Sequence, residues 1–259
     1  MEITKDNYFS LKSDAEYMSN SQFKDFLKCE FTALAKLKGE YLPPVTTALL
    51  VGSYVDAYFE GTLDEFKNSH PEILKCDGTL KADYVQAEYI INRIKHDNMF
   101  MKYMSGEKQV IMTGEIEGIP FKIKIDSYHK GKAIVDLKII KDFQPIYDPK
   151  VKAKLPFVEY WGYDIQGAVY QEIVRHNTGV TLPFFIAAVT KESEPDICIM
   201  SVPQERLDKC LALVKELAPK FQRLKRGTEN PLRCEKCSYC KKTKVLTSII
   251  DYRDLEVKS

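Results

Sequence analysis

The chain has 259 residues, of which 44% are hydrophobic and 29% are charged, and its formal net charge is +1. This composition suits a globular chain with a substantial core and excludes a polycation. No apolar run reaches the roughly eighteen residues of a transmembrane helix, and the N-terminal segment lacks the apolar part of a signal peptide. We therefore expect a cytoplasmic protein without membrane contact. Its seven cysteines argue against a disulfide framework and leave metal or cluster binding open.

Residues 1–107 are predicted to be mostly helical. A first helix is predicted over 18–40, where Ser19 and Gln22 form a capping box and Gly39 provides the stop. Helical apolar spacing predicts a second helix over 46–62. Its packed side is predicted to carry Leu49, Leu50, Tyr54, Ala57 and Tyr58. A third, longer amphipathic helix is predicted over 81–104.

Residues 108–227 are predicted to form the sheet core. Short β-rich segments separated by Glu-Gly and Lys-Gly turns predict an antiparallel meander of three strands, over 108–116, 119–128 and 132–140. A helix over 158–177, strands over 182–191 and 196–203, and a helix over 204–227 follow. We therefore predict an α/β fold with a central mixed β-sheet flanked by helices. The whole chain, 1–259, is expected to be one domain that ends in a Cys-rich tail over 228–259.

Two aspartates and a lysine are predicted to share one face of the meander. Side chains alternate along a strand, so Asp136 and Lys138 point the same way, and Asp126 joins them if its strand pairs through the turn "SYHKGK". Two carboxylates about 4 Å apart repel by roughly 4 kcal/mol at an effective dielectric of 20, so we expect a cation between them. Mg²⁺ or Mn²⁺ suits such oxygen ligands. The alternative is a solvent-facing Asp–Lys pair, because Asp-x-Lys alone is a weak motif.

The segment "IKIDSYHKGKAIVDLKI" resembles the core of the PD-(D/E)xK nuclease superfamily, in which an Asp ends one strand and Asp-x-Lys lies on the next. "GSYVDAYFEG" resembles a helical element of the RecB and RecE branch, with Asp56 where that branch has a histidine. "DIQGAVYQEIV" resembles its Gln-x-x-x-Tyr element and supplies Gln166 and Tyr170, which share a helical face. In order and spacing, nearly the whole chain is similar to phage-type exodeoxyribonucleases related to the RecE C-terminal domain.

This resemblance implies a restriction-endonuclease-like core and metal-dependent hydrolysis of DNA phosphodiesters. It further implies digestion of duplex ends for phage-type recombination, with a single-strand annealing protein as partner. By the resemblance, Asp126 and Asp136 hold Mg²⁺ or Mn²⁺, with Asp56 as a third ligand. The backbone carbonyl of Leu137 is a further expected ligand.

The same resemblance gives Lys138 the role of serving the attacking water or the transition state. Gln166 and Tyr170 are expected to position DNA or to support the lysine, and packing at the edge of the core is the alternative for both. Glu115 is a candidate acid near the site, but a surface glutamate beside a turn is the favoured interpretation. His129, in the hairpin turn, is likewise interpreted as structural.

The tail carries Cys234, Cys237 and Cys240 at C-x2-C-x2-C spacing, a metal or cluster signal that needs a fourth ligand. In several RecB-like nucleases, one early and three late cysteines hold a [4Fe–4S] cluster, and Cys29 matches the early position. The resemblance therefore implies a cluster on these four cysteines. Zn²⁺ is an alternative for four thiolates, and unligated cysteines stay open.

The stretch from Lys220 to Lys244 contains nine Lys or Arg and two Glu. A local basic patch attracts anionic polymers. We expect this stretch, together with the face of the second strand that carries Lys122 and Lys124, to contact DNA phosphates with little sequence specificity and strong salt dependence. A solvated helix end is the alternative. Two other functions stay open, a non-catalytic DNA-binding or assembly module, favoured by Asp56, and a restriction-like endonuclease. Assembly into a homo-oligomer is also left open.

Overall fold

A five-stranded mixed sheet lies at the centre of the protein, and the computed structural model describes residues 1–253. The strand order is β1-β2-β3-β6-β7. The strands are β1 (Glu107–Ile116), β2 (Ile119–His129), β3 (Ala133–Ile140), β6 (Phe184–Thr190) and β7 (Ile197–Ser201). The first three form an antiparallel meander, β3 and β6 run parallel, and β7 is antiparallel to β6. The predicted mixed α/β class is confirmed.

A small hairpin that the sequence did not predict follows β3. Its strands are β4 (Ile146–Asp148) and β5 (Ala153–Leu155), which pair with each other and not with the main sheet. The last part of the predicted tail, 254–259, lies outside the described residues.

Helices cover both faces of the sheet. They are α1 (Leu11–Glu16), α2 (Asn20–Lys28), α3 (Glu30–Leu37), α4 (Thr47–Glu60), α5 (Leu63–Ser69), α6 (Ala82–Lys95), α7 (Asn98–Tyr103), α8 (Phe157–Tyr160), α9 (Tyr163–Thr178), α10 (Gln204–Lys225) and α11 (Ser238–Lys242). A first apolar core joins the sheet to α2, α9 and α10, and a second joins it to α4, α6 and α7. Neighbouring residues of β3 alternate between them, with Ile134 in the first core and Val135 in the second. Within residues 1–253, no helix has the length and apolar character needed to cross a bilayer.

Three predicted helices are each divided in two, so those predictions were wrong in detail. The first breaks at Cys29, whose φ of −166° and ψ of 109° are extended and separate α2 from α3. The second break follows α6, where the Asp97 side chain accepts a hydrogen bond from the Phe100 N–H and caps α7. The third break is at Gly162, which has a left-handed φ of 63° between α8 and α9.

Other details of the helical predictions had mixed outcomes. Ser19 caps α2 as predicted, because its hydroxyl accepts a 3.2 Å hydrogen bond from the Gln22 N–H. The other half of the predicted capping box is not formed, since the Gln22 side chain donates to the Asp14 carbonyl and accepts from Lys225 Nζ. The prediction of the packed side of α4 was partly wrong, since Leu49 is 60% exposed whereas Tyr54 is buried.

Close packing of α9 on β6 sets the position of the helix over the site. A Cβ atom on Gly167 would lie 2.5 Å from Cδ1 of Phe184, so only glycine allows this approach. The neighbouring Gln166 is thereby held close to the sheet.

Candidate active site

The candidate site lies where β2 and β3 separate. The two strands pair at only three positions, ending with Ser127 opposite Val135. Continuing this antiparallel register by one residue places Asp126 opposite Asp136, so both carboxylates stand at the mouth of the gap. At the far end of the gap, Met18 takes over the pairing with β2 at Phe121.

Asp126 is half-buried and held by its neighbours. The Leu137 N–H donates a 2.9 Å hydrogen bond to Asp126 Oδ2, and Gln109 Nε2 lies 3.4 Å from Oδ1. Burial raises the pKa of Asp126 well above its usual range, and the charges of Asp136 and Asp56 raise it further. A carboxylate in this position gains from a nearby cation.

Asp136 is 1% exposed and is held at both oxygens. Gln166 Nε2 donates a 2.6 Å hydrogen bond to Oδ1, and Oδ2 forms an ion pair with Lys138 Nζ. Among residues 1–253, Oδ2 has no partner other than this ammonium. Burial acts to lower the pKa of Lys138, but the carboxylates of Asp136 and Asp126 outweigh it and raise that pKa above its usual value. Lys138 is therefore an ammonium ion.

Asp56, on α4, interacts electrostatically with Lys138 and Asp136. Burial raises its pKa to about 7; Lys138 opposes this shift, and the charges of Glu60 and Asp136 add to it. The oxygens of the three aspartates do not all lie within 4.8 Å of one another, a spacing that only the cysteine group meets in the described part of the chain. Three carboxylates beside one ammonium still form a hard donor set with excess negative charge. Together with Asp136 Oδ2, whose single partner in the described residues is Lys138, this set fits Mg²⁺ or Mn²⁺.

Tyr170 and Leu137 lie at the gap itself. The Tyr170 hydroxyl donates a 3.0 Å hydrogen bond to the backbone carbonyl of Lys124, a strand group that has no partner on β3. Tyr170 is buried and therefore supports β2 beneath the site. In an extended strand the N–H and C=O of one residue point to the same side, so the Leu137 carbonyl faces β2 together with its N–H.

Three residues near the site, Lys24, Tyr163 and Gln109, were not identified from the sequence. Lys24 donates a 3.1 Å hydrogen bond to the Trp161 carbonyl, and its Nζ lies 5.3 Å from the centroid of the Tyr163 ring. Lys138 Nζ lies 4.9 Å from the same centroid. Burial, followed by the charge of Lys138, lowers the pKa of Lys24 to about 8. Gln109 has a left-handed φ of 54° beside Asp126, which a side chain other than glycine rarely adopts.

The strand face carrying Lys122 differs from expectation. Alternation predicted a polar face available to DNA, but Lys122 is 1% exposed. Its ammonium pairs with Asp14 at 2.6 Å and donates to the Tyr8 carbonyl and the Ser13 hydroxyl. The N-terminal segment thus covers this face, and Lys122 is a structural residue.

The structural interpretations of Glu115 and His129 agree with their surroundings. Glu115 is exposed and pairs with Pro120, near the end of β1 that is remote from Asp126. His129 Nε2 lies 2.7 Å from the Tyr103 carbonyl.

The basic stretch before and within the tail is partly engaged inside the protein. Lys220 pairs with Glu30 at 2.5 Å, and Lys225 donates to the Tyr17 carbonyl at 2.9 Å. The basic side chains that stay exposed without an ion pair in the described residues are Arg226, Lys236, Lys241, Lys242 and Lys244.

The structure also brings the four predicted cysteines together. Their Sγ atoms all lie within 4.8 Å of one another, with 3.6 Å between Cys29 and Cys240 and 3.9 Å between Cys234 and Cys240. Burial acts to raise the pKa of Cys237, but hydrogen bonds from the Thr32 hydroxyl and the Cys240 N–H lower it to about 6. The break at Cys29 turns the first helix so that its thiol meets the tail. This group can bind a soft metal.

Comparisons with known proteins identify the family of the chain. The family model for the "PDDEXK-like domain of unknown function (DUF3799)" matches residues 19–243. A crystal structure from Eubacterium rectale, named "Putative exonuclease", is 52% identical, covers 98% of each chain and superposes with a TM-score of 0.94. A structure of SSO0001 is 11% identical over 81% of this chain and 91% of its own, and its TM-score of 0.30 carries no weight.

No curated protein sequence matches the chain. The predicted resemblance to the PD-(D/E)xK superfamily is confirmed by the family match and by the Eubacterium rectale structure. Since the matched region spans most of the sequence, the chain belongs to the PDDEXK-like DUF3799 family.

Proposed function

We propose that the protein is a divalent-metal-dependent deoxyribonuclease that digests DNA from duplex ends. The observation that carries the proposal is the meeting of Asp126, Asp136 and Lys138 at the mouth of the gap between β2 and β3, with Gln166 bonded to Asp136. Membership in a PDDEXK-like family supports nuclease activity, and the name of the Eubacterium rectale relative supports action as an exonuclease.

Asp56, Asp126, Asp136 and the Leu137 carbonyl would hold Mg²⁺ or Mn²⁺. When bound, such an ion lowers the pKa of a water ligand and neutralises charge on the phosphate. Gln166 fixes Oδ1 of Asp136 and so aims Oδ2 toward Lys138.

Lys138 keeps its proton because the neighbouring carboxylates raise its pKa. Its ammonium can therefore stabilise the negative charge that develops on the phosphate in the transition state. Lys24, whose Nζ also lies over the Tyr163 ring, adds a second positive charge that can hold the adjacent phosphate.

DNA binding is proposed to involve the exposed basic residues at the end of α10 and in the tail, without base readout. The resemblance to RecE-like enzymes supports a role in phage-type recombination in the cytoplasm, with a single-strand annealing protein as partner. Assembly of the protein into a homo-oligomer is part of the same proposal. The resemblance alone supports these last features.

The test uses linear duplex DNA labelled at either end and a covalently closed circle, each with and without Mg²⁺. The wild-type protein is expected to degrade the linear duplex only with Mg²⁺ and to leave the circle intact. The variant Asp136→Asn keeps the size of the side chain but loses a charged ligand, so it is expected to bind DNA and not cleave it. Glu115→Gln, an exposed acid on β1, is the matched control and is expected to behave as wild type.

Cleavage that persists in a pure Asp136→Asn protein would overturn this assignment of the site. Cutting of the closed circle would instead point to a restriction-like endonuclease. Binding without cleavage by the wild-type protein at every Mg²⁺ and Mn²⁺ concentration would point to a non-catalytic module, in which Asp56 has replaced a needed histidine.

A further inference from the structure

The spacing of the four cysteine sulfur atoms distinguishes between the two metal groups that four thiolates can hold. A single Zn²⁺ binds each sulfur at about 2.3 Å, so the corners of its tetrahedron lie about 3.8 Å apart. The separations in this structure are 3.6 Å for Cys29 and Cys240 and 3.9 Å for Cys234 and Cys240. All four atoms lie within 4.8 Å of one another, close to the size of that tetrahedron.

A [4Fe–4S] cluster requires a larger frame. Each thiolate binds a different iron at one corner of the cluster, which places the cysteine sulfurs roughly 6 Å apart. The observed spacing is too small to enclose such a core. Expansion would have to move Cys29 and Cys240, which are 7% and 0% exposed. The cluster implied by the sequence resemblance therefore does not fit these residues.

Contacts around the sulfur atoms also suit a compact structural site. The Cys237 N–H donates to Cys234 Sγ at 3.3 Å, and the Cys240 N–H donates to Cys237 Sγ at 3.5 Å. The Thr32 hydroxyl lies 3.0 Å from Cys237 Sγ. Such contacts orient ligands and offset thiolate charge around a metal.

The site joins two remote parts of the chain. Around it, the Phe31 N–H donates to the Leu232 carbonyl at 3.1 Å, and the Leu232 N–H donates to Glu30 Oε2 at 2.8 Å. The rings of Phe31 and Tyr239 stack with centroids 5.4 Å apart. A metal at this point closes a loop of roughly 200 residues, which removes considerable entropy from the unfolded chain.

From this geometry we infer that Cys29, Cys234, Cys237 and Cys240 bind one tetrahedral Zn²⁺ ion, which fixes the tail to α3, and do not bind a four-iron cluster. The inference is independent of the proposed nuclease activity, because it concerns a different group of residues and a structural role.

The test measures metal content of the full chain, produced without a metal-binding tag in medium supplemented with zinc and iron and purified under anaerobic conditions. Elemental analysis is expected to give about one zinc per chain, and separate assays are expected to show no acid-labile sulfide and no absorbance band at about 400 nm. About four irons and four sulfides per chain would overturn the inference, as would a folded protein that contains neither metal. The wild-type measurement decides the question even if variants fail to fold.

Variants then assign the ion to these residues. Cys237→Ser changes a ligand that is only partly buried, and its zinc content is expected to fall at least about tenfold below the wild-type value. Cys76→Ser, an exposed cysteine outside the group, is the matched control and should retain the ion. Asp136→Asn should also retain zinc whether or not the protein is a nuclease, which separates this result from the test of the proposed function. Full zinc content in a folded Cys237→Ser protein would contradict the assignment.

Discussion

The side-chain amide of Gln166 donates a 2.6 Å hydrogen bond to Asp136 Oδ1, while the other oxygen of Asp136 contacts Lys138. The two residues come from α9 and β3, and Gly167 allows α9 to pack closely on β6, the strand beside β3. Because Asp136 is buried, this bond selects one orientation of its carboxylate. Gln166 is thus a positioning residue for the most deeply buried acid of the candidate site.

Gln166→Ala is expected to lower kcat by about 10–100-fold and to raise the Mg²⁺ concentration needed for half-maximal activity, as is typical when a residue that supports a metal ligand is lost. Mg²⁺ titrations of DNA digestion measure both effects. Gln171→Ala on the same helix is the matched control. Its amide donates to the Leu182 carbonyl at 2.8 Å, away from the site, so its loss should lower Tm without changing the Mg²⁺ dependence. Equal Mg²⁺ dependence in the two variants would contradict the role of Gln166.

Tyr163 holds two lysines on its ring, with Lys138 at 4.9 Å and Lys24 at 5.3 Å from the centroid. Each cation–π contact contributes about 0.5–2 kcal/mol at a partly desolvated position. Tyr163→Leu should therefore let Lys138 leave its position and slow single-turnover digestion about tenfold. Tyr163→Phe keeps the ring and should stay within about twofold of wild type. If the two variants were equally slow, the hydroxyl rather than the ring would be the important group.

The parts of the site that follow from the regular spacing of side chains along one strand or helix could be predicted from the sequence. Alternation along β3 puts Asp136 and Lys138 on one face, and the helical period puts Gln166 and Tyr170 on one face of α9. The turn before β3 then fixes the register that brings Asp126 opposite Asp136. These relationships depend on residues near one another in the chain, so no knowledge of the remaining fold is needed.

Features that depend on distant segments could not be predicted. The residues around Cys29 favour a continuous helix, and the break is stabilised by contacts with Leu232, roughly 200 residues away. Alternation identified the face of β2 that carries Lys122 but not the N-terminal segment that covers it. Lys24 looked like an ordinary surface lysine, because its proximity to Lys138 arises only when α2 packs beside α9.

Removing Asp14 from its buried ion pair with Lys122 should destabilise the protein far more than removing both charges together. Lys122 is 1% exposed and Asp14 is 27% exposed, so Asp14→Ala leaves an ammonium buried without its counter-charge. We expect a loss of about 3 kcal/mol in the free energy of unfolding, measured by urea denaturation. The double variant Asp14→Ala, Lys122→Met should recover most of this loss, because no buried charge is left.

A matched control for the buried pair is the pair of Lys36 and Asp25, whose side chains are 30% and 32% exposed. Asp25→Ala should cost under about 1 kcal/mol. If Asp14→Ala were no more costly than Asp25→Ala, burial of Lys122 would not make it depend on Asp14.

Lys225 should make stability depend on pH in the alkaline range. Burial, with a smaller contribution from Lys122 and opposed by Asp14, lowers its pKa from 10.5 to about 8 in the folded protein. The unfolded chain therefore binds this proton more tightly than the folded protein does. The contribution of Lys225 to the free energy of unfolding is lowest below about pH 8, rises with pH, and levels off above about pH 10.5. Relative to Lys225→Met, the wild-type free energy of unfolding should rise by about 1–3 kcal/mol between these limits, measured by urea denaturation at several pH values. Lys209→Met, which removes a 68% exposed lysine of the same helix, should follow the wild-type curve. Parallel curves for wild type and Lys225→Met would show that Lys225 is not the source of the dependence.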